Sequence, residues 1–134
     1  LGAVPLLFVW VFLLGASAQP SLEYEVKAVY VYKLLKFIEW PEGVFSPGHD
    51  TVAVGILGDS PIREAIETLK QSHSVPVKVV RLESLRDIGL VHVLFISASA
   101  KEPLPDILHA ANKARCLTIG ETNGSSQLGV MINL

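Results

Sequence analysis

The stretch from Tyr24 to Phe45, YEVKAVYVYKLLKFIEWPEGVF, decides how the rest of the chain is read. Beyond the first eighteen residues, Phe95 is the one aromatic side chain outside it. At about 100° per residue, Val26, Tyr30, Leu34 and Phe37 cluster on one side of a helix, and Ala28, Val31, Leu35 and Ile38 extend that side. Glu25, Tyr32, Lys33, Lys36 and Glu39 fall opposite. A strand would demand alternation, which VYVYKLLKFI abandons after Tyr32. The stretch is therefore expected to be a helix. Pro41 helps to end it, because the residue before a proline is pushed out of the α region. Two side chains stand out. Lys27 projects into the apolar arc, so it either snorkels past the helix end or meets a carboxylate, a carbonyl or a ligand. Trp40 sits at the edge of the arc. It either caps the core with its indole N–H on a carbonyl or anchors a partner, as tryptophan does at interface hot spots.

Upstream, Val4 to Leu14 is an apolar run followed by Gly15-Ala16-Ser17-Ala18 and Gln19-Pro20. A short apolar segment ending in Ala-Ser-Ala reads as a secretory signal peptide over residues 1–18. It falls short of the roughly 20 apolar residues that span a bilayer. No positive residue precedes it, and the sequence starts with Leu, as a clipped or misread start would. Residues 1–22 carry no charge, so the domain over 19–134 keeps the net −2 of the 134-residue chain. That balance argues against nucleic acid, which demands clustered Lys and Arg. Cys116 is alone, so a buried thiol is expected in place of an internal disulfide.

Downstream, Thr51–Leu57 (TVAVGIL) is apolar on both faces, as strands of a buried parallel sheet are. Gly58-Asp59-Ser60-Pro61 turns into a helix capped by Ser60 or Asp59, with Ile62, Ala65, Ile66 and Leu69 as its stripe. Val75–Leu82 is a second strand, placed at an edge or at a strand start by Pro76. Ser84–Ile88 is a helical turn and Val91–Ser97 a third strand. A helix striped by Leu104, Ile107, Leu108 and Ala111 follows, then a fourth strand at Cys116–Ile119 and a fifth at Leu128–Leu134. The expected fold is α/β: three layers, a mostly parallel sheet of about five strands, helices on both faces. The loop Gly120–Gln127 holds no helical pattern, so the last strand is expected to return antiparallel.

In such a sheet, sites gather at the carboxyl ends of the strands. Those ends offer Gly58-Asp59-Ser60, Ser97-Ala98-Ser99 and Gly120-Glu121-Thr122-Asn123. Asp59, Ser60, Ser97 and Glu121 are accordingly candidate ligand contacts, although helix capping also explains Asp59 and Ser60. The phosphate fingerprints GxGxxG and GxxxxGK[ST] are absent, as is a GxSxG elbow. His49, His73, His92 and His109 have no metal-site spacing. A phosphate-receiver reading fails because Asp59 has no acidic neighbour to help hold magnesium and the third strand ends in Ser97. No catalytic residue, metal or cofactor is expected.

With these residues placed, the chain resembles the YfiR-like family of periplasmic regulators. The carrying motifs are Val26-Lys27-Ala28-Val29-Tyr30 with Phe37-Ile38-Glu39-Trp40-Pro41, then Val54-Gly55-Ile56-Leu57-Gly58-Asp59 and His92-Val93-Leu94-Phe95-Ile96. Leu117-Thr118-Ile119-Gly120-Glu121 and Gly129-Val130-Met131-Ile132-Asn133 complete the series. Each is weak alone; five in order behind a signal peptide are specific. The resemblance implies a periplasmic α/β protein without enzymatic activity. It would repress an inner-membrane diguanylate cyclase by binding that enzyme's periplasmic portion, lowering cyclic-di-GMP signalling and biofilm formation. Family members usually continue with another strand and a terminal helix, which the resemblance implies are missing after Leu134. Some also carry disulfides, for which Cys116 has no partner here.

The expected partner is thus the periplasmic domain of a GGDEF-type membrane protein, met by an apolar patch that includes Trp40 and Phe45, with Lys27 as a further contact. A homodimer is left open, and no stable membrane insertion is expected after signal cleavage. The rival is a periplasmic small-ligand sensor using Asp59, Ser60, Ser97 and Glu121. A hydrolase has no supporting residues.

Overall fold

A computed structural model describes residue 2, residues 21–74 and residues 76–134. The signal peptide expected over 1–18, Gly2 apart, lies outside the described residues. The first element, α1 (Leu22–Phe37), ends with Ile38 already extended, three residues before Pro41. The alternation then runs β1 (Val52–Leu57), α2 (Ile62–His73), β2 (Val77–Leu82), a 3₁₀ segment (Leu85–Leu90), β3 (Val93–Ile96), α3 (Leu104–Ala114), β4 (Leu117–Gly120), a 3₁₀ turn (Ser125–Leu128) and β5 (Ile132–Asn133). Every residue of β1 and β3 is buried, which is why both read as unbroken apolar runs. The sheet order is β2-β1-β3-β4-β5, and Pro76 therefore precedes an edge strand.

Helices α1 and α2 pack on one face, where Ala28, Val31, Leu35, Ile62 and Ile66 meet Val54, Ile56, Phe95 and Ile119. The opposite face is covered by α3 and the first 3₁₀ segment, through Ile88, Ile107 and Ala111 on Leu57, Leu94 and Ile96. Cys116 is buried on that side as a free thiol, with its Sγ 3.2 Å from the Val91 carbonyl, and burial pushes its pKa up.

Two expectations need correction. The fifth strand runs parallel, pairing Ile119 with Ile132 and Gly120 with Asn133. Gly124 and Gly129, both at positive φ, bracket a 3₁₀ turn that carries the chain back along the sheet. The return is pinned where Leu134 N–H donates to Gly120 O (2.9 Å) and Met131 N–H to Thr118 Oγ1 (3.0 Å). The Asn133 amide, with its nitrogen inward, donates to the carbonyls of Gly120 (2.9 Å) and Thr122 (3.0 Å).

The second correction concerns α1. Its buried stripe is Ala28, Val31 and Leu35, with Tyr24, Tyr32 and Ile38 packed beside it. Tyr32 thus joins the core, whereas Val26 (46% exposed), Tyr30 (56%) and Phe37 (84%) face solvent. Apolar residues run most of the way round this helix. The sheet and α2 cover only one side of it, so periodicity alone chose the wrong half as its centre.

Candidate functional site

The carboxyl ends of β1, β3 and β4 converge on one polar cluster at the point where the strand order reverses between β1 and β3. Ser97, only 2% exposed, directly follows β3. Its hydroxyl donates to Asp59 O (2.8 Å) and accepts from Ser99 N–H (3.2 Å). The Ser99 hydroxyl accepts from Asp59 N–H (2.7 Å) and lies 2.7 Å from Asp59 O. Two serines therefore fasten the turn after β1 to the turn after β3. Gly58 permits the approach, because a Cβ there would lie 2.8 Å from Ala100 N.

Beside this latch, the Glu121 side chain is 5% exposed. One carboxylate oxygen accepts from Ala98 N–H (2.9 Å), and the other lies 3.5 Å from the Ser60 hydroxyl and 3.9 Å from Lys27 Nζ. Lys27 also pairs with Glu23 one turn earlier on α1 (2.9 Å) and lies over the Tyr24 ring. Its carboxylate contact answers the choice that the helical wheel left open. Burial pulls the Lys27 pKa down, but the hydrogen bond to Glu23 and the charges of Glu23 and Glu121 outweigh it and hold it above the ordinary lysine value. Ser60 also caps α2, accepting from Ile62 N–H (3.3 Å).

Asp59, Ser60, Ser97, Glu121 and Lys27 are thus neighbours. Asp59 takes part in the latch through its backbone and sends its exposed carboxylate to Arg81 (3.0 Å). Among the described residues two hollows lie at this end: one of about 150 Å³ lined by Asp59, Arg81, Glu83, Ser99, Lys101 and Glu102, and one of about 450 Å³ bordered by Lys27, Tyr30 and Leu134. Among the described residues no three His, Cys, Asp or Glu side chains group to hold a metal ion.

Trp40 and Phe45 lie at the other, amino end of the strands, away from Lys27. They flank His92, with ring centroids 5.7 Å apart for Trp40 and Phe45, 5.8 Å for Trp40 and His92, and 5.0 Å for Phe45 and His92. His92 is fixed from below: Ala53 N–H donates to its Nδ1 (2.9 Å), so the neutral ring carries its proton on Nε2. The backbone of His92 extends the β1–β3 ladder by donating to Ala53 O (2.9 Å). Trp40 and Phe45 are half-buried, and an open cleft of about 500 Å³ lies against Trp40, Gly43, Leu90, His92 and Arg115. The sequence marked the two aromatics and not His92, because residues so far apart along the chain show no mutual spacing. Ser99 and Arg81 were missed for the same reason.

A family model described as YfiR/HmsC-like matches residues 24–134. No curated protein matches the chain. Among the described residues no helix is long and apolar enough to cross a membrane.

Proposed function

The chain belongs to the YfiR/HmsC-like family, and from that premise we propose that it is a periplasmic regulator that represses an inner-membrane diguanylate cyclase by direct contact. The observation that carries this reading is a contrast between the two ends of the sheet. At the strand-order reversal, where open α/β sheets commonly take ligands, the serine latch and Glu121 use up the polar groups on each other. The polar hollow left there, about 150 Å³, is smaller than the roughly 300 Å³ at which small-molecule sites begin, and the groove of about 450 Å³ beside Lys27 is walled by the apolar side chains of Leu22, Val26, Tyr30 and Leu134. The amino end instead offers the Trp40–Phe45–His92 cluster beside a wide cleft, with Leu90 71% exposed on its rim. An aromatic anchor beside a cleft is the arrangement that protein interfaces favour.

In this reading Trp40 and Phe45 meet the periplasmic domain of a GGDEF-type membrane protein and hold it in an inactive arrangement. Binding to that arrangement alone depletes the active one by mass action, and the cyclic-di-GMP level falls. Lys27 supports this reading by tying the second turn of α1 to Glu121.

The test is co-purification with the periplasmic domain of the cognate cyclase. Wild-type protein is expected to retain it, and Trp40→Ala to weaken retention at least about tenfold while keeping a native melting profile. Undiminished retention by a folded Trp40→Ala protein removes this patch from the account. The sensor alternative predicts a rise in melting temperature with a periplasmic solute, abolished by changes at Ser97 or Glu121.

A further inference from the structure

The cleft beside Trp40 carries two charges that the fold does not use. Glu42 comes from a turn over residues 41–44, which closes where Val44 N–H donates to Pro41 O (3.3 Å) and which relies on the positive φ of Gly43 (+83°). Arg115 comes from the end of α3. Both side chains line the cleft, both are exposed, and among the described residues neither makes an ion pair.

Arg115 is the less ordinary of the two. It ends α3 in the left-handed conformation (φ +58°), where glycine sits without strain and a larger residue does not. A cation at a helix C-terminus complements the helix dipole, but Lys113 already supplies one in the last turn. What an arginine adds at position 115 is a planar fork of N–H donors on the cleft, and that fork grips a carboxylate by both oxygens. Trp40 lines the same cleft, and Leu90 stands 71% exposed on its rim. Tryptophan and arginine are residue types that interface hot spots favour, whereas glutamate is depleted from interfaces. Of the two charges, Arg115 is therefore the one that docking would cover. The cleft lies at the amino end of the strands, whereas Leu134 bonds Gly120 at the carboxyl end and Lys27 meets Glu121 there.

We infer that Arg115 is a carboxylate-binding contact of this cleft, and that the occupant is a segment of a partner protein bearing an acidic side chain next to an apolar one. The carboxylate meets the Arg115 guanidinium, and the apolar neighbour covers Trp40 and Leu90. Glu42 stays on the solvated rim, where it disfavours a second acidic group. The inference rests on the reading of this cleft as the docking site and adds the chemistry that selects the partner.

Titration calorimetry with the periplasmic domain of the cognate cyclase tests it, with Trp40→Ala measured alongside. Arg115→Gly removes the guanidinium and relieves the left-handed backbone. Its melting temperature is expected at or above that of wild type, while its affinity falls about tenfold or more. Arg115→Lys keeps the charge without the fork and should lose about threefold. Glu42→Lys makes the cleft more basic and should tighten binding by up to about threefold. Raising NaCl from about 50 to about 500 mM should weaken wild type more than Arg115→Gly. If Arg115→Gly binds as tightly as wild type while Trp40→Ala loses binding, this inference is overturned and the docking reading stands. A Glu42→Lys protein weakened as much as Arg115→Gly overturns it as well, because the cleft would then select a cation. If wild type does not bind at all, the docking reading fails and takes this inference with it. A melting temperature raised by millimolar glutamate or succinate in wild type, and not in Arg115→Gly, would give the carboxylate to a solute and overturn it equally.

Discussion

At Gly58 the backbone has φ +89°, and an added Cβ would lie 2.8 Å from one backbone nitrogen and 2.9 Å from the Ser99 hydroxyl. Strain and collision add at a single atom, so Gly58→Ala is expected to cost about 2 kcal/mol or more of stability in urea unfolding. Ser97→Ala leaves Ser99 N–H without its partner and Asp59 O with the Ser99 hydroxyl alone, and is expected to cost about 1–2 kcal/mol in the same assay. Wild-type midpoints for both variants would show that the latch does not hold the β1 and β3 ends together. At this scale the sequence revealed which residues follow the apolar runs, namely Asp59, Ser60, Ser97 and Glu121. It did not reveal that two serines satisfy the backbone of Asp59, because a hydrogen bond spanning about 40 positions leaves no local pattern.

Helix α1 shows how one element can carry two apolar sides with different fates. Leu35 is buried against the sheet, so Leu35→Ala is expected to cost about 2–4 kcal/mol through lost contacts and a residual cavity. Phe37→Ala, two residues on and 84% exposed, should shift stability by no more than about 0.5 kcal/mol. Comparable losses from the two changes in chemical denaturation would restore the helical-wheel assignment. The wheel located the helix correctly because its polar and apolar residues do not alternate. It could not tell which half of a wide apolar arc meets the sheet, since only the position of α2 and the strands decides that. The fifth strand teaches the same lesson: its residues are apolar in either direction, and its direction was set by two glycines and a 3₁₀ turn.

Across the whole molecule, the Lys27–Glu121 contact is the one ion pair joining α1 to the sheet among the described residues. The pH dependence of Lys27, set against burial first by Glu23 and then by Glu121, follows from sign. The folded-state pKa of Lys27 is raised, so the stability it contributes is fully present below the ordinary lysine value of 10.5 and is lost as pH rises through the higher folded value. The stability gap between wild type and Lys27→Met is therefore expected to stay constant from about pH 6 to 9 and to shrink above about 10.5. Urea midpoints measured across that range check it, and a gap unchanged at the alkaline end would show that neither Glu23, the larger influence on Lys27, nor Glu121 stabilises its charge. Arranged this way, the fold keeps its polar network closed at one end of the sheet. Its apolar and aromatic surfaces remain open at the other end and along α1.

The sequence by itself determined the α/β class, most element positions and the family, because apolar period, turn residues and motif order are local properties of the chain. Only the tertiary structure decided the parallel direction of β5, the exposed half of α1, and the placing of Lys27 with Glu121 while Trp40 and Phe45 gather on His92. Each of these depends on which distant segments pack together, and apolar burial is non-directional: it drives a side chain inward without specifying its neighbour.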